Sequence, residues 1–186
     1  MIQTQNREGY IGASDTDMVV GNWETNTFSK WWLEKIGLNK NEFTNKYMQA
    51  GTNYEHKILD SLGIENLEKD RQIIIDRLRV NLDGNTETTI YEVKTHSTDK
   101  EFKVSKKYWR QVQVEMYALG VTTAYIVSYG LVEEDYNNFF NKIDENRLNM
   151  TLISYDNNFI DNEYLPKLKI LTKCLKEGSF PCKIQQ

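Results

Sequence analysis

Cysteine and histidine are scarce in this 186-residue chain, with two of each. Cys174 and Cys182 carry no CxxC spacing, which excludes a four-cysteine zinc or iron–sulfur site and fits thiols in a reducing compartment. His56 and His96 are too few and too far apart in sequence to propose a zinc centre. The two prolines, Pro166 and Pro181, both fall late, and no repeat or low-complexity tract interrupts the chain. One domain over residues 1–186 is therefore expected, large enough to bury a core without cross-links. No run of eighteen apolar residues exists, so no membrane-spanning helix is expected. Met1 to Arg7 lack the apolar core of a secretion signal, so the expected location is the cytoplasm. Positive charge is not in excess either: the net charge of −4 excludes a generally basic polyanion binder, and any nucleic-acid contact must come from local clusters.

What is present reads as alternating helices and strands. Ser14 resembles an N-cap opening a short helix over 15–20. Helices are expected over 28–36, 42–62, 107–119 and 163–176, closed by Gly37, Gly63, Gly120 and Gly178. Strands are expected over 72–82, 88–95, 122–129 and 149–155, with turn residues from Asn81 to Asn85 making the first two a hairpin. Helices on both sides of a small mixed sheet define the α/β class.

The stretch from Asp83 to Lys94 carries the chemistry. Strand side chains alternate faces, so Glu92 and Lys94 point one way while Tyr91, Val93 and Thr95 point the other. Asp83, at the hairpin end, reaches the side of Glu92. Two carboxylates and a backbone carbonyl suit Mg²⁺, which takes oxygen ligands and leaves room for water and phosphate. Asp83, Glu92 and the carbonyl of Val93 are the candidate ligands, with Mn²⁺ able to substitute. Lys94 would orient or deprotonate the attacking water, or stabilise charge on the phosphorus. Alone, Glu-x-Lys on a strand also describes a solvated surface pair, and Asp-Gly a simple turn. Just downstream, Lys100, Lys103, Lys106, Lys107 and Arg110 are interleaved with Tyr108 and Trp109. Beside a metal site, such a segment is where a phosphate backbone would run.

In this order the motifs resemble the lambda-exonuclease, or YqaJ-type, viral recombinase family of the PD-(D/E)XK nuclease superfamily. The resemblance rests on Arg7 through Ser14-Asp15, Trp31 through Gly37, Gly51 through Glu55, Leu82-Asp83-Gly84, Glu92-Val93-Lys94, Tyr108 through Tyr117, and Glu177 through Pro181, which together span nearly the whole chain. It implies a restriction-endonuclease-like core. Asp83, Glu92 and Val93 would hold the metal, with Glu55 contributing to a second position or its water shell, and Lys94 would activate the water. Arg7 and Ser14 would receive a terminal 5′-phosphate, in keeping with the anion affinity of a helix start and of guanidinium. Gln111 and Gln113 lie about 160° apart around a helix, so only one can face the metal. Tyr108-x-x-Gln111 is similar to the lambda-type pattern and Gln113-x-x-x-Tyr117 to the RecB type; Gln111 is favoured, with Gln113 at the core edge.

The resemblance further implies a Mg²⁺-dependent exonuclease of phage origin in the bacterial host cytoplasm. It would degrade one strand of linear duplex DNA 5′ to 3′ and leave 3′ single strands for recombination. A homotrimer and a single-strand annealing partner are implied as well. The segment from Gly63 to Asp83 is short for the family, which bears on processivity rather than chemistry. The alternatives are an endonuclease on the same core, or a DNA-binding or host-interaction module without turnover.

Overall fold

In the computed structural model, which describes residues 8–39 and 45–181, the apolar run expected as one strand over 72–82 is two strands. β2 (Glu68–Ile75) and β3 (Leu78–Asn85) form an antiparallel hairpin with Ile75 opposite Leu78, so the chain reverses over Asp76 and Arg77. Asp76 takes a φ of 54°, a left-handed value that aspartate tolerates better than most side chains. No glycine or proline marks this turn, and the apolar periodicity runs straight across it. Leu82, Asp83 and Gly84, expected at a bend, are instead strand residues. The reversal into β4 (Thr89–Ser97) follows them, where the Thr86 N–H donates to the Thr89 carbonyl at 2.9 Å. Gly84 serves close packing rather than a turn: a Cβ there would lie 2.9 Å from Leu59 Cδ2.

β1 (Ile11–Gly12), too short to be anticipated, runs parallel to the start of β3, and β4 pairs only with Gly84 and Asn85 at its end. β4 then lies parallel to β5 (Thr123–Leu131), and β6 (Leu148–Ser154) is antiparallel to β5. The sheet order is β1-β3-β4-β5-β6, with β2 also pairing β3.

Both faces of this mixed sheet are covered. On one, Tyr54, Ile58 and Leu59 of a helix over Lys46–Ser61 pack on Tyr91, Val93, Val127 and Tyr129. On the other, helices over Thr16–Val20, Asn26–Lys35, Lys106–Leu119 and Leu165–Glu177 enclose Phe28, Trp32, Ile90, Val112, Met116 and Ile126. In chain order the helices are α1 (Thr16–Val20), α2 (Asn26–Lys35), α3 (Lys46–Ser61), α4 (Lys106–Leu119) and α5 (Leu165–Glu177). This is the expected α/β class, with α5 entered through a π-helical turn at Phe159–Tyr164. Thr25, Asn45 and Ser105 cap α2, α3 and α4 by accepting the N–H groups of Phe28, Met48 and Tyr108. Among the described residues no helix is long and apolar enough to cross a membrane.

Ser14 does not cap a helix. It sits inside a 3₁₀ turn, Ala13–Asp15, and α1 begins after it. Asp15 takes the structural role: it accepts from the Gly12 N–H at 2.8 Å and Trp31 Nε1 at 3.0 Å, and pairs with the buried Lys35 at 2.6 Å. A carboxylate outcompetes a hydroxyl for such donors, which leaves Ser14 exposed.

Candidate active site

The β3–β4 ladder pairs Gly84 with Tyr91 and Asn85 with Ile90, and just beyond it the Asp83 carboxyl lies within electrostatic reach of Glu92. The ladder ends there. Asp83 Oδ2 accepts the Val93 N–H at 2.8 Å, a side chain standing where a strand carbonyl would be. Strand pairing stops at this point, and Asp83, Glu92 and Glu55 come close enough there to act on one another electrostatically, a meeting point we call the notch. Parallel pairing with β5 holds Glu92 opposite Ile126 and Lys94 opposite Ser128, on the face covered by α4.

Glu92 is 2% exposed. Its Oε1 accepts from Lys94 Nζ at 2.5 Å and from Gln111 Nε2 at 2.6 Å, while its Oε2 is buried without a hydrogen-bond partner. Gln111 Nε2 also donates to Glu115 Oε1 at 2.8 Å. Gln113 faces elsewhere: its Nε2 donates to the Ser154 carbonyl and its Oε1 accepts from the Asp156 N–H, so it ties α4 to the end of β6.

Like charges crowd this notch. Burial, then Glu92 and Glu55, hold the Asp83 carboxyl well above its ordinary range, against the pull of Lys94 and the Val93 N–H. Glu55, on α3, is pushed up to about 7 by burial, Glu92 and Asp70. Glu115 is raised by burial and by Glu92. Burial alone would lower Lys94, but Glu92 and Asp83 override it and hold the ammonium above its usual value. Asp83, Glu92, Glu55 and Glu115 thus share one ammonium. A cluster of this charge with an unpartnered carboxylate oxygen fits a divalent cation.

A further group adjoins Glu55. Its carboxylate, His56 and Asp70 bring their ligand atoms within 4.8 Å of one another. The β2–β3 pairing is interrupted at Asp70, between the Lys69–Gly84 and Arg71–Leu82 pairs, and there the backbone takes a φ of 56°. The Asp70 carboxylate meets His56 Nε2 at 2.9 Å. His56, set aside as a ligand from sequence spacing, therefore stands beside one of the expected metal acids.

A cavity of about 90 Å³ opens between the 3₁₀ turn and α4, lined among others by Ser14, Lys35, Arg79, Asn81, Gln111 and Glu115. Gln111 lies between this cavity and Glu92. Arg7 lies outside the described residues. Of the basic segment, Lys106 and Lys107 are exposed in the first turn of α4, and Lys103 is exposed beside Glu101 at 3.2 Å. Tyr108 lies under Lys94, with Nζ 5.0 Å from its ring centre, and stacks on Phe102. Arg110 does not join this surface, because it pairs with Asp17 of α1 at 2.8 Å.

Glu115, Asp70 and Asn81 were not anticipated. Glu115 carried a legible signal, an acid four residues after Gln111 on the same helix face and flanked by Val114 and Met116. Asp70 and Asn81 carried none, because only the pairing of β2 and β3 brings them here.

The family model for the YqaJ-like viral recombinase domain matches residues 4–125. Among solved structures, the chain is similar to an alkaline exonuclease, LHK-Exo, from Laribacter hongkongensis, at 22% identity, with 92% of each chain covered and a TM-score of 0.68. A structure of LHK-Exo in complex with dAMP gives 21% identity, 92% coverage of each chain and a TM-score of 0.65. A phage-related exonuclease from Haemophilus somnus 129PT gives 16% identity, 91% and 92% coverage and a TM-score of 0.65. These likenesses identify the fold as PD-(D/E)XK. No curated protein sequence matches the chain significantly.

Proposed function

The chain belongs to the YqaJ-like viral recombinase domain family, and on that premise we propose that it is a Mg²⁺-dependent deoxyribonuclease working 5′ to 3′ on linear double-stranded DNA. The observation that carries this reading is Glu92: a buried carboxylate, held on one oxygen by Lys94 and Gln111, without a hydrogen-bond partner on the other, and close to Asp83. Asp83, Glu92 and the Val93 carbonyl hold the metal, and Glu55 serves a second position or its water. A divalent ion there supplies a Lewis acid beside the phosphodiester and makes bound water acidic.

The chain's own residues do the rest. Lys94, paired with Glu92, orients or helps deprotonate the attacking water, or stabilises charge on the phosphorus. Gln111 orients groups between the metal ligands and the cavity. Ser14, with Arg7 ahead of it, receives a terminal 5′-phosphate, and Arg79 lines the same cavity, where Lys35 is already paired with Asp15. Lys103, Lys106, Lys107 and Tyr108 follow the DNA backbone. Lysines in the first turn of a helix oppose its dipole, so Lys106 and Lys107 do not serve helix stability, and a phosphate neighbour accounts for them. We take residues 1–186 as one nuclease domain of a homotrimer, acting with a single-strand annealing protein in the bacterial cytoplasm.

The test is a digestion time course with Mg²⁺ or Mn²⁺ on linear 5′-phosphorylated, linear 5′-hydroxyl and covalently closed circular duplexes. Phosphorylated ends should be consumed fastest and circles left intact, and Asp83→Asn should abolish cleavage without unfolding the chain. Rapid cutting of circles would make it an endonuclease. Intact DNA with binding retained would make it a binding module.

A further inference from the structure

Glu115 has no part in the roles above, yet it is fully buried and within hydrogen-bonding reach of Gln111. A buried acid with no ion-pair partner of its own costs desolvation, and an apolar side chain of similar volume would pack there without that cost. Stability does not explain it.

The geometry of Gln111 does. A glutamine carboxamide offers two N–H donors and one carbonyl acceptor. Nε2 spends both donors on carboxyl oxygens, Glu92 Oε1 at 2.6 Å and Glu115 Oε1 at 2.8 Å. The opposite orientation would press the carbonyl against the Glu92 oxygen that Lys94 already holds, so Glu92 fixes which way the amide lies and Glu115 takes its second N–H. Glu92 Oε1 then takes two donors, from Gln111 and Lys94, and Oε2 is the oxygen left over.

We infer that Glu115 is a positioning residue for the metal site: by holding Gln111 it holds Glu92 with Oε2 presented to the cation. This rests on the metal-site reading above, and outer partners of this kind are worth about 10- to 100-fold in metal affinity.

The test is Mn²⁺ titration of the full chain without DNA, by calorimetry or electron paramagnetic resonance. Glu115→Gln keeps an acceptor for Gln111 and should bind Mn²⁺ within about 3-fold of the parent, whereas Glu115→Met should bind about 10-fold more weakly. Gln111→Leu should lose as much as Glu115→Met, and the double variant no more than either, because the two act through one contact. On DNA, kcat should fall in Glu115→Met with KM unchanged. Parent-like affinity in Glu115→Met, an equal loss in Glu115→Gln, or additive losses in the double variant would overturn the assignment. If Glu115→Met fails to fold, Gln111→Leu decides, and unchanged affinity there overturns it too. A parent chain that binds Mn²⁺ but cuts no DNA would sink the nuclease reading and leave Glu115 standing. A parent that binds none would sink both.

Discussion

Glu55 shows how a single carboxyl reports on the whole notch. Its pKa of about 7, set by burial and then by Glu92 and Asp70, compares with 4.5 for the free side chain. Between those values the folded chain holds a proton that the unfolded chain has lost, so stability falls as pH rises through the window. Glu55→Gln removes that dependence. Allowing for solvent screening of a half-buried group, it should stabilise the chain by about 1 kcal/mol at pH 8, or about 2–4 °C in melting temperature, and leave pH 4 unchanged. Thermal melts at the two pH values check this, and equal shifts at both would mean that the carboxyl is not crowded. At this same scale much was legible in advance. Strand alternation alone sets Glu92 and Lys94 on one face, and helix geometry alone separates Gln111 from Gln113. Which glutamine meets Glu92 depends on how α4 docks, and no local rule contains that.

At the scale of elements, the contact between α3 and β3 governs where Asp83 stands. Gly84 follows Asp83, and a methyl group there would meet both Cδ atoms of Leu59 and Leu67 Cδ1 within 3.3 Å. Gly84→Ala should push α3 off the strand and cost about 1–3 kcal/mol. Because the displacement falls beside Asp83, proposed above as a metal ligand, cleavage should drop by about 10-fold or more. Denaturant unfolding and initial rates on linear duplex measure the two effects, and a variant with parent-like stability would show that Leu59 yields freely. Helix limits could be read closely from the sequence because caps and glycines are local signals: Ser105 and Gly120 bound α4, and Gly120 takes the left-handed φ of 78°. The β2–β3 turn could not, because Asp76-Arg77 interrupts no periodicity.

For the whole molecule, the decisive feature is that β1 and β4 pair with β3 at opposite ends of one strand, Leu78 and Arg79 against Gly84 and Asn85. Between them lie Asn81 and Asp83, joining the cavity at Ser14 to the acids of β4. Light scattering on the purified protein should give three times the 21.9 kDa of one chain. A single-chain mass would remove the trimer.

The sequence by itself determined the α/β class, the helix ends and the shared face of Glu92 and Lys94, because capping, backbone conformation and side-chain alternation act over a few residues. Only the tertiary structure decided that Asp70 stands beside Glu55 and His56, that Asp15 rather than Ser14 is bound into the turn, and that Glu115 and Gln111 meet at Glu92. Those outcomes depend on strand register and helix docking, which are set by burial of apolar surface across the whole chain and leave no mark at the residues they bring together.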